Sequence, residues 1–435
     1  MEWYTYALIL FIGLFVLLAI GLPVGFSLGL GSLAGILFFI GPRGLGQMNI
    51  LMVEYATNPS FVCLPLFILM AELIAVSGAA SDIFNATQKW LNRLPGSLGI
   101  STMVASGVFG AACGTSSGGA AAMGLVTIPE LLRRGYSRAL STGTVAAGGT
   151  ISILIPPSGV MILYALITEE SIGRLFIAGI IPGIMMVSIF SLYILIHAKL
   201  RPQDAPAGQR YTWREKWTSL RSIWVISIVI IIVFGSIYTG IATINESAAM
   251  GAFVAFLIAL QRKVSFHMLV EVAIRTARVT CFIFFIIFGA MTFGYLLSYL
   301  NIPFALSELM IRAGTTPLLF ILMTMILFFI LGCLLDPASI LVLTLPVLYP
   351  TVLKLGIDPI WFGILATVNM EMANVTPPVG LNLFVVKSVC PPDISLKDII
   401  YGTSPFVVLL AVGIAAIIIW PKIALWLPNT MMGMQ

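Results

Sequence analysis

Runs of about 17 to 25 residues with almost no charge recur from one end of this chain to the other, each long enough to cross roughly 30 Å of hydrocarbon as a helix. Over 435 residues the chain is 60% hydrophobic and only 9% charged, which leaves too little polar surface to cover a soluble globule. These features predict an all-α polytopic membrane protein with no soluble domain. The N-terminus, MEWYTYALILFIGLF, has no basic n-region or small-residue cleavage site, and its apolar run continues past residue 35; a retained first span is expected. The five cysteines form no C-x-x-C pair or Cys/His cluster and are expected to be packing residues. The net charge of +5 comes from basic residues scattered among loops, a pattern of membrane topology and not of nucleic-acid binding.

Gly, Pro and charge divide the apolar runs into two series of five spans: 4 to 20, 23 to 40, 61 to 78, 139 to 164 and 175 to 197, then 222 to 240, 246 to 260, 279 to 299, 360 to 385 and 404 to 420. Each series holds one further segment, 98 to 132 and 317 to 353, with a turn-rich middle: Gly114-Thr115-Ser116-Ser117-Gly118-Gly119 and Leu335-Asp336-Pro337-Ala338-Ser339. Two half-helices around a turn predict a re-entrant hairpin. The series superpose at an offset of 221 residues, which places Pro129, Gly135, Pro156, Pro157 and Gly159 on Pro350, Gly356, Pro377, Pro378 and Gly380, and Thr115 on Asp336. Coincident Pro and Gly mean coincident backbone breaks. The expected organisation is a first repeat over 1 to 198, a cytoplasmic linker over 199 to 221 and a second repeat over 222 to 435. An odd number of crossings inverts the second repeat.

Lys and Arg concentrate in cytoplasmic loops. With both termini outside, the inner loops receive 17 of the 22 basic residues; Arg43, Arg174, Arg312, Lys354 and Lys422 remain outside. Counting a hairpin as a full crossing destroys that split. Segments 47 to 58 and 264 to 278 mix apolar and polar residues and are expected to be interfacial amphipathic helices.

The fourth span of each repeat carries two prolines in its middle, Ile155-Pro156-Pro157-Ser158-Gly159 and Thr376-Pro377-Pro378-Val379-Gly380. Non-helical backbone at membrane depth is tolerated only where it is buried in protein or lines a cavity. Two broken spans and two tips therefore predict a central ion and substrate site. Helix N-termini there suit an anion. Freed carbonyls and hydroxyls suit a hard cation such as Na+. The candidate substrate ligands are Ser116, Ser117, Ser158, Ser339, Asn374 and Thr376; the candidate Na+ ligands are Gly114, Thr115, Ile155, Pro156, Asp336, Glu371 and Thr376. Asp336 has an alternative as a helix cap, and Glu371 as a satisfied structural carboxylate. Glu72 is read as structural, and Asn245-Glu246 as a helix start. The stretch from Gly114 to Gly118 also fits G-x-S-x-G, the pattern of a nucleophilic serine. That chemistry needs a base within reach, and the only histidines, His197 and His267, belong to the cytoplasmic edge.

With the tips and breaks placed, the chain resembles the large membrane subunit of TRAP (tripartite ATP-independent periplasmic) transporters over essentially its whole length. The most specific stretches are Asn369 to Phe384 (NMEMANVTPPVGLNLF), Leu335-Asp336-Pro337 with Leu345-Pro346 to Pro350, and Ile155-Pro156-Pro157-Ser158. The resemblance implies a Na+-driven importer of an organic anion, such as a C4-dicarboxylate or sialic acid, in the bacterial inner membrane. A periplasmic substrate-binding protein and a small four-helix membrane subunit would be its partners. It further implies an elevator of the ion transporter superfamily, and Na+ ligands pairing the first tip with the second break and the second tip with the first break. A self-sufficient sodium-dicarboxylate symporter and an intramembrane hydrolase centred on Ser116 are the alternatives.

Overall fold

The computed structural model describes residues 2–206, 208–209 and 211–431, and these form α-helices, short 3-10 turns and connecting loops. Among the described residues, seven helical segments are long and apolar enough to cross a membrane. The helices recur at the 221-residue offset. The first hairpin, Ser97–Cys113 and Ser116–Arg133, matches Pro317–Gly332 and Pro337–Lys354. The broken helix Arg138–Leu154 and Gly159–Thr168 matches Pro359–Asn374 and Leu381–Val389, and Ile172–Leu200 matches Leu396–Ile419. Equivalent helix starts use equivalent chemistry: the side chains of Ser137 and Asp358, 221 residues apart, each accept a hydrogen bond from the backbone N–H three residues on, closing one of the free donors of a first turn.

Of the two segments expected as interfacial helices, the first forms separately and the second does not, for a local reason. Segment 47 to 58 is a separate helix, Leu45–Thr57, because Asn58-Pro59 ends it before Cys63–Val76 begins; the residue before a proline is driven out of helical geometry. No proline interrupts residues 264 to 299, so the expected interfacial segment and the span after it form one helix, Phe266–Tyr299. A pair of amphipathic helices was not anticipated. Ala79–Leu91 packs on both arms of the first hairpin, and Ile302–Arg312, 221 residues on, packs on Pro337–Lys354. The linker contains the short helix Trp213–Leu220, opened by a reciprocal Thr212–Glu215 capping box. Glu246 makes the same box with Thr243, while Asn245 donates to the Pro59 carbonyl at 2.8 Å.

Packing separates the helices into two groups. Val24–Phe39 lies on Phe266–Tyr299 and Cys63–Val76 on Ile244–Gln261, so each repeat's outer helices pair with those of the other. The second group contains the hairpins, the broken helices, Ile172–Leu200 and Leu396–Ile419. Its tightest crossing has glycine on both sides. A Cβ on Gly402 would lie 1.9 Å from the Ala139 carbonyl oxygen, and one on Gly143 would lie 2.1 Å from the Gly402 carbonyl oxygen.

Contacts between distant loops test the inverted arrangement without any assumption about which face is which. On one face Arg138 pairs with Asp393 at 2.6 Å, Arg262 with Asp82 at 2.5 Å, and the Ser137 N–H donates to the Asp204 carbonyl at 3.0 Å. On the other, the Tyr349 hydroxyl donates to Glu170 at 2.7 Å, Arg174 reaches Asn429 at 3.4 Å, and the Lys354 ammonium sits 3.8 Å from the centre of the Phe304 ring. Each contact joins loops that the odd-span count assigns to the same side. The chain is an all-α, multi-pass membrane protein built as an inverted repeat. Replacing Gly402 by Val forces backbone apart at the glycine crossing, where there is no flexible side chain to move; a loss of roughly 1–3 kcal/mol is expected, read as a lowered midpoint in thermal melts of the purified protein.

Candidate functional site

Each hairpin meets its own repeat's broken helix through backbone. Gly114 ends Ser97–Cys113 with φ +64°, and its carbonyl accepts from the Gly159 N–H at 3.1 Å. A Cβ at residue 114 would lie 2.5 Å from the Pro157 carbonyl oxygen, so this turn needs glycine for both its conformation and its closeness. At the second tip the Cys333 carbonyl accepts from the Val379 N–H at 3.2 Å. Two tips and two breaks thus converge without regular secondary structure between them.

Between them lies a cavity of about 250 Å³. The first tip lines it with Gly114, Thr115, Ser116 and Ser117, and the second with Asp336, Pro337 and Ala338. Ile153 and Gly159 come from the first broken helix, Asn374 and Asn382 from the second, and Val279, Phe282 and Ile283 of Phe266–Tyr299 form an apolar wall. No Lys, Arg or His lines it. Its polar groups are hydroxyls, amides, the ends of two helices and one carboxylate, a set that supplies oxygen to a cation and free N–H groups to an anion.

The predicted site residues divide into those on the cavity and those behind it. Asp336 caps Pro337–Lys354: its carboxylate accepts from the Ser339 N–H at 3.1 Å and from the Ser339 hydroxyl at 2.5 Å. Ser339 is fully buried in that bond and does not line the cavity. Ser158 caps Gly159–Thr168 by accepting from the Met161 N–H at 3.3 Å, and the Thr376 hydroxyl donates back to the Met372 carbonyl at 2.7 Å. Ile155 packs against Gly107 and Gly183, and Pro156 is buried beside it. Glu371 lies behind Ser116 and Asn374, 1% exposed, where its carboxylate accepts from the Ser116 hydroxyl at 2.5 Å and from the Asn374 amide at 3.1 Å. Glu72 is half-buried on Cys63–Val76, away from this cavity.

The sequence reading did not single out Asn382, whose amide donates to the Ser116 hydroxyl at 2.7 Å. Its signal was present: a polar side chain two residues into an apolar half-helix. The apolar wall from Phe266–Tyr299 carried no signal, because its residues resemble any lipid-facing run. Neither histidine is a partner of Ser116. His197 pairs with Asp204 at 3.1 Å and His267 approaches Glu271 at 3.7 Å.

Comparison with known proteins agrees with this architecture. Residues 11–423 match the family model described as the tripartite ATP-independent periplasmic transporter, DctM component. The chain is 34% identical to the C4-dicarboxylate TRAP transporter large permease protein of Pseudomonas aeruginosa, over 93% of this chain and 94% of that one. It is 31% identical to the ectoine TRAP transporter large permease protein of Halomonas elongata, over 94% and 96%. In fold it is similar to the crystal structure of the YdaH transporter of Alcanivorax borkumensis, with a TM-score of 0.61 over 90% of this chain and 91% of that one at 15% identity. The relatives are named as transporter permeases and not as enzymes. This chain belongs to the DctM family, the large permease component of tripartite ATP-independent periplasmic transporters.

Proposed function

We propose that the chain is the transporting subunit of a Na+-coupled importer of a small organic anion, a carboxylate, which a periplasmic binding protein delivers. The observation that carries this reading is the shared cavity, in which tips and breaks of both inverted repeats meet over an apolar wall from the other helix group. Inverted repeats with broken helices place coupled ion and solute sites at their midplane interface. The lining holds one carboxylate, Asp336, and no basic side chain, so an anion in this space needs cations beside it to offset like-charge repulsion. Na+ bound through Asp336, the Thr115 hydroxyl and the Gly114 carbonyl, all of which line this space, would supply that positive charge. The N-termini of Ser116–Arg133 and Pro337–Lys354 would hold the carboxylate, with help from Ser117 and Asn374.

The two packing groups support an elevator: hairpins and broken helices would move together against the outer helices, which a small four-helix subunit would extend. Both termini and the second hairpin's base would face the periplasm, leaving the basic linker inside. Relatives named for a C4-dicarboxylate and for ectoine align with this chain over 93% and 94% of its length, consistent with selection resting largely on the binding protein.

The decisive measurement is uptake into liposomes that contain this chain and its small subunit. Uptake should require both the binding protein and an inward Na+ gradient. Transport without the binding protein would favour a self-sufficient symporter, and transport without the gradient would remove Na+ coupling. Asp336→Asn keeps a good helix cap and removes the charge, so the Na+ concentration for half-maximal uptake should rise several-fold; an unchanged value refutes the ligand role. Ser116→Ala deletes two hydrogen bonds, one to a carboxylate, at a cost of about 1–3 kcal/mol. It should slow uptake by roughly ten- to a hundredfold without abolishing it, as measured in initial rates.

A further inference from the structure

The two tips that enclose the cavity are secured differently. At the first, the Ser116 hydroxyl gives its proton to Glu371 Oε2 at 2.5 Å and accepts from Asn382 Nδ2 at 2.7 Å. Glu371 Oε1 accepts from Asn374 Nδ2 at 3.1 Å. These four side chains are 0–5% exposed and join the start of Ser116–Arg133 to both halves of the second repeat's broken helix. Because the only hydroxyl proton goes to the carboxylate, Ser116 must receive an N–H from Asn382. Asn382 Oδ1 therefore faces away and has no partner among the described residues.

A glycine makes room for this cluster. A Cβ at Gly149, on the first repeat's broken helix, would lie 2.7 Å from Ala120 Cβ, 2.9 Å from the Ser116 carbonyl oxygen and 3.3 Å from Asn382 Nδ2. Three elements from both repeats thus close on one hydroxyl.

The second tip has no counterpart. At the 221-residue offset, Ser116, Glu371, Asn374 and Asn382 correspond to Pro337, Thr150, Ile153 and Met161, a set with one hydroxyl, and that hydroxyl donates to the Ala147 carbonyl of its own helix. Asp336 spends its hydrogen bonds on Ser339, three residues away. Among the described residues the one hydrogen bond between this tip and its break is the backbone bond from Val379 to Cys333, which the first tip matches with Gly159 to Gly114 in addition to its side-chain cluster.

We propose that Glu371 is a positioning residue: through Ser116 it clamps the first hairpin tip onto both halves of the second broken helix, and the unclamped second tip is the one that opens to the transported solute. The assignment rests on reading the cavity as the transport site. Opening of one tip needs a difference in local stability between the two, and a buried carboxylate with two donors supplies it on one side alone.

Hydrogen exchange, followed by mass spectrometry on the full chain with its small subunit in lipid, tests this with peptides covering residues 110–120 and 331–341. Without Na+, the second tip should exchange faster than the first. Glu371→Ala should raise exchange at the first tip by roughly ten- to a hundredfold and leave the second unchanged. Glu371→Gln keeps an oxygen to accept the Ser116 hydroxyl and should restore most of the protection, which loss of packing alone would not predict. If Glu371→Ala does not yield folded protein, Asn382→Ala removes the other side of the clamp with the same expected rise. Equal protection of the two tips in the unmodified chain, or an unchanged first tip in Glu371→Ala and Asn382→Ala, overturns the proposal. Added Na+ separates the two readings: a second tip that ignores Na+ while the first still loosens in Glu371→Ala removes the sodium site and leaves the clamp standing.

Discussion

Every feature of this site follows from the cost of unpaired backbone inside a membrane. A proline pair in the middle of a span removes two donors and frees carbonyls a turn earlier, and hydrocarbon offers nothing to bond them. The chain answers at each break by bringing in a hairpin tip, whose own turn is equally short of partners. Gly114 to Gly159 and Cys333 to Val379 join tip to break in the two repeats. What backbone pairing leaves over is a small space walled by helix ends, the space in which the proposed function places its ion and anion.

The close approach this demands explains the glycines at the tip and at the main helix crossing. Gly114 lies against Pro157, and Gly143 and Gly402 lie against each other's helices, at distances that no side chain tolerates. Packing without side chains gains nothing from the hydrophobic effect in lipid and depends on dispersion and hydrogen bonding. Three buried hydroxyls of this helix group fit that setting: Ser152, Thr142 and Thr403 each return the hydroxyl proton to a carbonyl.

Pseudo-symmetry governs backbone more strictly than side chains. Except where Phe266–Tyr299 runs through the break that separates Leu45–Thr57 from Cys63–Val76, the matched helices of the hairpins and broken spans end within a few residues of each other across the 221-residue offset, because Pro, Gly and capping side chains set them locally. Side chains around the cavity diverge. One tip is held by a buried Ser116–Glu371–Asn382 cluster, while the other offers Asp336 to the cavity and to its own helix. An inverted repeat of this kind supplies two similar frames and lets each be fitted separately.

The membrane class, the span pattern, both hairpins, both breaks and the inverted relation were legible in the sequence, since each depends on local hydropathy or on residues that restrict φ. The continuous helix Phe266–Tyr299 was less legible, because joining an amphipathic segment to an apolar one depends on the absence of a breaker and not on a positive signal. The pair Ala79–Leu91 and Ile302–Arg312 was missed for a similar reason: neither is apolar enough to read as a span. Residue types at the tips marked Ser116, Asp336 and Glu371 as worth attention. Only the tertiary structure decided that Ser116 meets Glu371, 255 positions away, and that Asn382 joins the cluster. Local sequence determines where a backbone must break; which distant side chains meet at the break depends on how two repeats pack, and no short stretch of sequence contains that distance.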